Sequence, residues 1–114
     1  MHVDDGSRIR HMLDAAREAQ AFIAGRARAD LDNDRLLALA LVKLVEIIGE
    51  AASRVSPEGR AQYPSVPWPS IVRMRNRLIH GYFDIDLDRV WETVTTDLPP
   101  LVAALEEAAR PASG

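Results

Sequence analysis

The chain has no cysteine among its 114 residues. That excludes disulfides and thiolate metal sites, and nothing hints at an oxidising compartment. Its start, Met1-His-Val-Asp-Asp5, is acidic and polar, without the basic residues and apolar run of a secretory signal. No apolar stretch is long enough to span a bilayer, since Leu36 to Ile48 is interrupted by Lys43 and Glu46. No membrane partner is expected, and the expected location is the cytoplasm. Sustained period-two alternation is absent, and so is any Asn-Gly or Asp-Gly hairpin pair. Also lacking are internal repeats, low-complexity tracts and the His-Glu spacing of a di-metal bundle, so neither a metal nor a cofactor is expected. With a net charge of −3 and a pI near 5.5, the chain is not a general nucleic-acid coat.

What is present fits one helical domain over 1–114, with an ordered core over 6–110 and a frayed tail at 111–114. Apolar residues make up 47% and charged ones 27%, ordinary values for a soluble globular chain. Ile9, Met12, Leu13, Ala16, Ala19 and Ile23 recur at three- and four-residue steps and form one apolar face. Asp4, Asp5 and Ser7 supply caps at its start, and Gly25 lies near its end. After the polar stretch Asp30–Asp34, a second helix is predicted from about Arg35 to Arg54. It is apolar around most of its circumference, through Leu36, Leu39, Ala40, Leu44, Ile47, Ile48 and Ala51. Such a helix is central in a bundle or shared with another subunit. Lys43, Glu46 and Glu50 form one polar stripe along it, which either faces solvent or turns Glu46 or Glu50 toward later arginines.

Ser56-Pro57-Glu58 opens a short turn or helix ending before Pro64. Pro67 and Pro69 can both occupy the first turn of the next helix, whose core spacing is Ile71, Met74, Leu78 and whose end is placed at Gly81. Asp84–Asp88 caps a final helix with Leu87, Val90, Trp91, Val94 and Leu98 inside. Pro99-Pro100 is expected to kink it before Leu101–Ala109. The expected fold is an all-α antiparallel up-and-down bundle of four long helices plus one short helix.

The chemistry concentrates in Trp68-Pro-Ser-Ile-Val-Arg-Met-Arg-Asn-Arg-Leu-Ile-His-Gly-Tyr82. From Pro64 to Phe83 there are three arginines and no acid, a local +3 that leaves −6 on the rest. On a regular helix Arg73, Asn76, Arg77 and His80 share one face, whereas Arg75 and His80 diverge by roughly 140°. One subunit then presents an open site, and two copies about a twofold axis would close it. Arginine binds phosphate oxygens with two hydrogen bonds and keeps its charge, so it suits a developing phosphorane. Histidine moves protons near neutral pH. With the substrate's 2′-hydroxyl as nucleophile, such a pair needs no metal and acts on RNA alone. The structural alternative has the arginines paired with Glu46, Glu50 or the Asp84–Asp88 acids, and His80 capping carbonyls. Trp68, Tyr82 and Phe83 are then core or interface aromatics, and His2 and His11 carry no role.

Ile48-Gly-Glu-Ala-Ala52, Tyr63-Pro, Val66-Pro-Trp68, Met74-Arg-Asn-Arg-Leu-Ile-His-Gly-Tyr-Phe83 and Val90-Trp-Glu-Thr93 together resemble the HepT-like toxins of the HEPN superfamily, helical-bundle ribonucleases. The resemblance covers nearly the whole chain in order and spacing. It implies that Arg75 and His80 are the catalytic pair of a metal-independent RNA endonuclease, with Asn76 the polar residue after the arginine. Arg73, Arg77 and Glu50 are the supporting polar groups expected around them. It further implies a type VII-like toxin–antitoxin pair: a homodimer whose Tyr82 receives AMP from an MntA-like nucleotidyltransferase antitoxin, silencing the toxin. HEPN relatives also include inactive and nucleotide-binding forms, so the rival expectation is a non-catalytic module that binds and regulates a nucleotidyltransferase or its nucleotide.

Overall fold

The computed structural model describes residues 4–80 and 84–110, with the main chain alone for His80. The fold is all-α. Helix α1 spans Asp5–Ile23, and the Asp4 carboxylate accepts from the Ser7 amide at its start. Beyond its end Gly25 adopts a left-handed φ of 76°, a conformation glycine reaches without steric cost. Helix α3 spans Arg35–Ser53, and the Asp34 carboxylate accepts from Leu37 N–H at its start. Between them the polar stretch forms a helical turn of its own, α2 (Asp30–Asn33), anchored by buried Leu31. This short helix adds to the expected set. Arg28, just before it, reaches Asp88 at 2.8 Å and Asp32 at 3.2 Å, and these carboxylates raise its pKa.

Helix α4 (Pro57–Gln62) is capped by the Ser56 hydroxyl, which accepts from Gly59 N–H. That hydroxyl also donates to Asp5, and Ser56 N–H donates to the same carboxylate at 3.0 Å, fastening the start of α1 to α4. These bonds hold the Asp5 carboxyl below its ordinary pKa. Helix α5 follows at Trp68–Asn76, with Pro69 in its first turn and Pro67 at the cap. Trp68 is buried, donates from Nε1 to the Tyr63 carbonyl at 3.2 Å, and lies under the Arg60 guanidinium at 5.7 Å. It is a core residue.

The end of α5 departs from expectation. The helix stops at Asn76, with Arg77 at φ −89° and ψ −5°, and does not run on to Gly81. The buried Leu78 then offers its carbonyl to Asp86 N–H at 2.7 Å. Next come β1 (Ile79–His80) and β2 (Asp84–Ile85), paired antiparallel with Ile79 opposite Ile85 and His80 opposite Asp84. Sequence alternation gave no warning of this ladder, because two-residue strands are too short to show a period. The periodicity of α5 could not reveal the break either. Met74 and Leu78 are four apart, and both reach the core whether or not the helix continues. His80 is therefore not on α5, and the 140° divergence calculated for one regular helix does not apply.

The last helical segment comprises α6 (Leu87–Glu92), a π-helical turn at Thr93–Asp97 and α7 (Leu98–Ala109). Pro99 and Pro100 fall in the first turn of α7. The expected proline kink takes the form of this wider turn just upstream, which makes room for rings that would press on the preceding carbonyls. Helix α1 packs against α3 and α7, and α3 packs against α5. The shared core includes Met12 and Ala16 of α1, Leu41, Val45 and Ile48 of α3, Ile71 of α5, and Val90, Val94, Leu98 and Leu105 of the last segment. No helix among the described residues is long and apolar enough to cross a membrane.

Candidate active site

The packing of α1, α3 and α5 leaves a cleft of about 800 Å³ on the side of α3 opposite the core. That volume lies within the range of small-molecule and substrate sites. Helix α3 supplies its floor. Leu41, Val45, Ile48 and Ala52 point into the core, while Lys43, Glu46, Ile47, Glu50 and Ala51 line the cleft. Arg75 and Asn76, in the last turn of α5, form one wall together with Ile79 of β1. Arg8 and His11 of α1 close the other side, and Arg54 stands beyond the end of α3. Four cations, Arg8, Lys43, Arg54 and Arg75, face two carboxylates, Glu46 and Glu50. The cleft therefore carries a positive surplus in a chain that is acidic overall.

Arg75 is held from two sides. Its aliphatic stem lies directly on the α3 backbone at Gly49, where an added Cβ would stand 2.7 Å from Cδ and 3.2 Å from Cβ of the arginine. Its guanidinium ends 3.9 Å from Glu50, with about a third of the side chain exposed (31%). Glu50 in turn binds Arg54 at 2.7 Å, one turn along the same helix. Glu50 thus both faces solvent and reaches the arginines, combining the two expectations for it. Both Glu50 and Arg75 are open enough to water that the pair is a weak tether, adjustable when an anion arrives.

Of the residues expected at the site, the cleft brings together Arg75, Asn76 and Glu50. Arg73 and Arg77 are exposed and do not line it, and Arg73 donates to Ser70 Oγ at 3.2 Å. The side chain of His80 and all of Tyr82 lie outside the described residues. Ile79, which immediately precedes His80, does reach the cleft wall. Among the described residues no three histidine, aspartate or glutamate side chains gather as a metal site.

Sequence reasoning missed Gly49, Arg8 and His11, and it placed Lys43 only in a polar stripe. A signal existed for Gly49. Glycine inside a helix costs about 1 kcal/mol relative to alanine, so a glycine there implies a close approach. No comparable signal marked Arg8 or His11, because the periodicity of α1 does not say which neighbouring helix its flank faces.

Comparison with known proteins identifies the family. The family model described as "Ribonuclease HepT-like" matches residues 12–108. A protein of Thermococcus cleftensis named "Probable ribonuclease HepT" is 36% identical over 74 residues, 65% of this chain and 67% of that protein. Two proteins named as putative RNases are similar over more of the chain. The one from Methanocaldococcus jannaschii is 33% identical over 95 residues, 83% of this chain and 87% of its own length. The one from Caldanaerobacter subterraneus subsp. tengcongensis is 33% identical over 99 residues, 87% of this chain and 88% of its own. No solved structure matches significantly. With the family model spanning residues 12–108 and these relatives alongside it, the chain belongs to the HepT-like ribonuclease family.

Proposed function

We propose that the protein is a metal-independent RNA endonuclease whose reacting phosphodiester lies in the cleft over α3, beside Arg75. The observation that carries this reading is the seating of the motif arginine in a cation-rich cleft, within a chain whose family is that of ribonucleases. In the reaction the RNA 2′-hydroxyl loses its proton and attacks the adjacent phosphorus. The P–O5′ bond breaks and the departing O5′ takes up a proton, leaving a 2′,3′-cyclic phosphate on one product and a 5′-hydroxyl on the other. Arg75 stabilises the charge on the phosphorane oxygens, and His80 transfers protons. Asn76 is a neutral donor at the same wall, while Glu50 holds the guanidinium until substrate displaces it. Arg73 and Arg77 act as peripheral cations that draw RNA in.

Two further elements belong to this reading. The protein acts as a homodimer, and Leu36 and Leu39 are the residues that favour this. They are 81% and 42% exposed and extend the cleft face of α3 toward its N-terminal end. The activity is that of a toxin, silenced when an MntA-like nucleotidyltransferase places AMP on the Tyr82 hydroxyl. The alternative is a non-catalytic module in which the same cations dock the nucleotidyltransferase or its nucleotide. The Glu50 carboxylate beside Arg75 favours that view.

The test is to incubate the purified chain with single-stranded RNA in excess chelator and to analyse the product ends. Cyclic phosphates, intact DNA, and loss of cleavage in Arg75→Ala and His80→Ala are expected. RNA left intact, or cleavage unchanged in both variants, overturns the assignment. Intact mass after co-production with the nucleotidyltransferase should rise in AMP-sized steps in the wild type and stay constant in Tyr82→Phe.

A further inference from the structure

The carboxylate of Glu50 is shared by two arginines from different helices. Arg54, one turn on along α3, donates to its Oε1 from Nε at 3.0 Å and pairs with the same oxygen through Nη2 at 2.7 Å. Arg75, in the last turn of α5, stands 3.9 Å from the other oxygen, Oε2. That separation exceeds a hydrogen bond, and among the described residues the Arg75 side chain makes none. Its stem is fixed by Gly49 instead, so the guanidinium keeps its donors for another acceptor. The side chains of Arg54 and Glu50 are both more than half exposed, at 63% and 56%. Further positive charge reaches this end of the cleft from α1. Asp5 is fastened to Ser56, just past the end of α3, so α1 runs antiparallel to α3 and brings Arg8 to the Glu50 end. Lys43 lies seven residues before Glu50, roughly 10 Å back along α3.

We infer that Arg54 and Arg75 together grip one phosphodiester, and that Glu50 holds its place until substrate arrives. A carboxylate and the two non-bridging oxygens of a phosphodiester carry the same single negative charge, and both accept paired N–H donors from guanidinium groups. Glu50 can turn out into water by an ordinary rotamer change, because its side chain is so exposed. Two positive groups then face the gap, and the phosphodiester takes over the position between them. The inference rests on the ribonuclease reading for the identity of the ligand. It goes beyond that reading in making Arg54 a substrate-binding residue and Glu50 a competitor of the substrate.

The test measures binding of a single-stranded 2′-deoxy oligonucleotide to the full chain by fluorescence anisotropy. This probe lacks the nucleophile, so it is bound without being cut and the result stands apart from the cleavage assay. A protein that binds it through these residues yet leaves RNA intact loses the ribonuclease reading and keeps the two-arginine site. Arg54→Met should weaken binding roughly tenfold and make the log–log salt slope shallower by about 0.7, for one released counterion. Glu50→Gln keeps the shape and removes the charge, and it should tighten binding about threefold. In the Glu50→Gln background, Arg54→Met should still weaken binding roughly tenfold, because Arg54 touches the phosphate. Were Arg54 only drawing Glu50 away from Arg75, that loss would vanish in the double variant, and the inference would be overturned. Binding unchanged by Arg54→Met, unchanged or weaker in Glu50→Gln, or absent in the wild type overturns it as well. The Arg17–Glu106 pair, 3.3 Å apart on the α7 side of α1 and similarly exposed, is the control. Arg17→Met and Glu106→Gln should leave affinity and slope unchanged. Changes there that match those at Arg54 and Glu50 mean diffuse attraction and overturn the site.

Discussion

The two faces of α3 are cut from one helix and do opposite things. Leu41, Val45, Ile48 and Ala52 are sealed against α1, α5 and the last segment. Lys43, Glu46 and Glu50, interleaved among them in sequence, line an open cleft. Core packing is dense and intolerant of lost volume, whereas the cleft face keeps water around its charges. The difference teaches that the site's floor is rigid because of residues that never touch it. Substitutions on the two faces should therefore separate stability from activity.

The largest expected effect tests the core face. Ile48 is fully buried, and Ile48→Ala should lower the unfolding free energy by about 2–5 kcal/mol through lost burial and a residual cavity. Denaturant titration measures this, and activity per folded molecule should survive. A catalytic loss that exceeds the folded fraction would blur the division between faces.

Gly49 sits on the border between them. Gly49→Ala places a methyl against the stem of Arg75, and the displaced guanidinium should cost roughly ten- to a hundredfold in cleavage rate. Stability should move by no more than about 1 kcal/mol, because alanine's better helix propensity offsets the crowding. Paired rate and melting measurements read both. Unchanged cleavage would mean that Arg75 needs no such perch.

A smaller effect concerns the clamp of Asp5 on Ser56, which braces the end of α1 that carries Arg8. The folded carboxyl has a lowered pKa. Its contribution is therefore fully present above the ordinary value of 3.8 and lost as pH falls through the folded value. Asp5→Ala should melt below the wild type at neutral pH, and the gap should close in acid. A gap independent of pH would show that the clamp does not act through the charged carboxylate.

The smallest effect on the chain itself is expected at Leu36, which is 81% exposed. Leu36→Ser should alter chain stability by less than about 0.5 kcal/mol. Light scattering should nonetheless show a weakened dimer if this face joins two copies.

How much of this was legible depended on how local the cause is. The two longest helices could be read almost to the residue, because Asp4 and Asp34 cap them and their apolar residues recur every third or fourth place. The break after Asn76 was hidden, since its partner is the Asp86 amide, eight residues beyond Leu78, and no periodicity carries that information. Short α2 was hidden for another reason: a single turn shows no repeat, and only buried Leu31 marks it. At the site, Arg75 and Asn76 were legible through the motif that carries them. Arg8 and His11 were not, because their membership depends on which groove α1 borders. The Arg73 and Arg77 assignments relied on a helical face that ends before it can include His80.

The perch of Arg75 on Gly49 has one more consequence. Side chains that lean on other side chains can change place by rotamer hops, each a small, frequent event. The stem of Arg75 leans on main chain, and the main chain of α3 shifts only if the packed interior shifts with it. The arginine at the mouth of the cleft thus borrows the stiffness of the core, although its own tip stands in water.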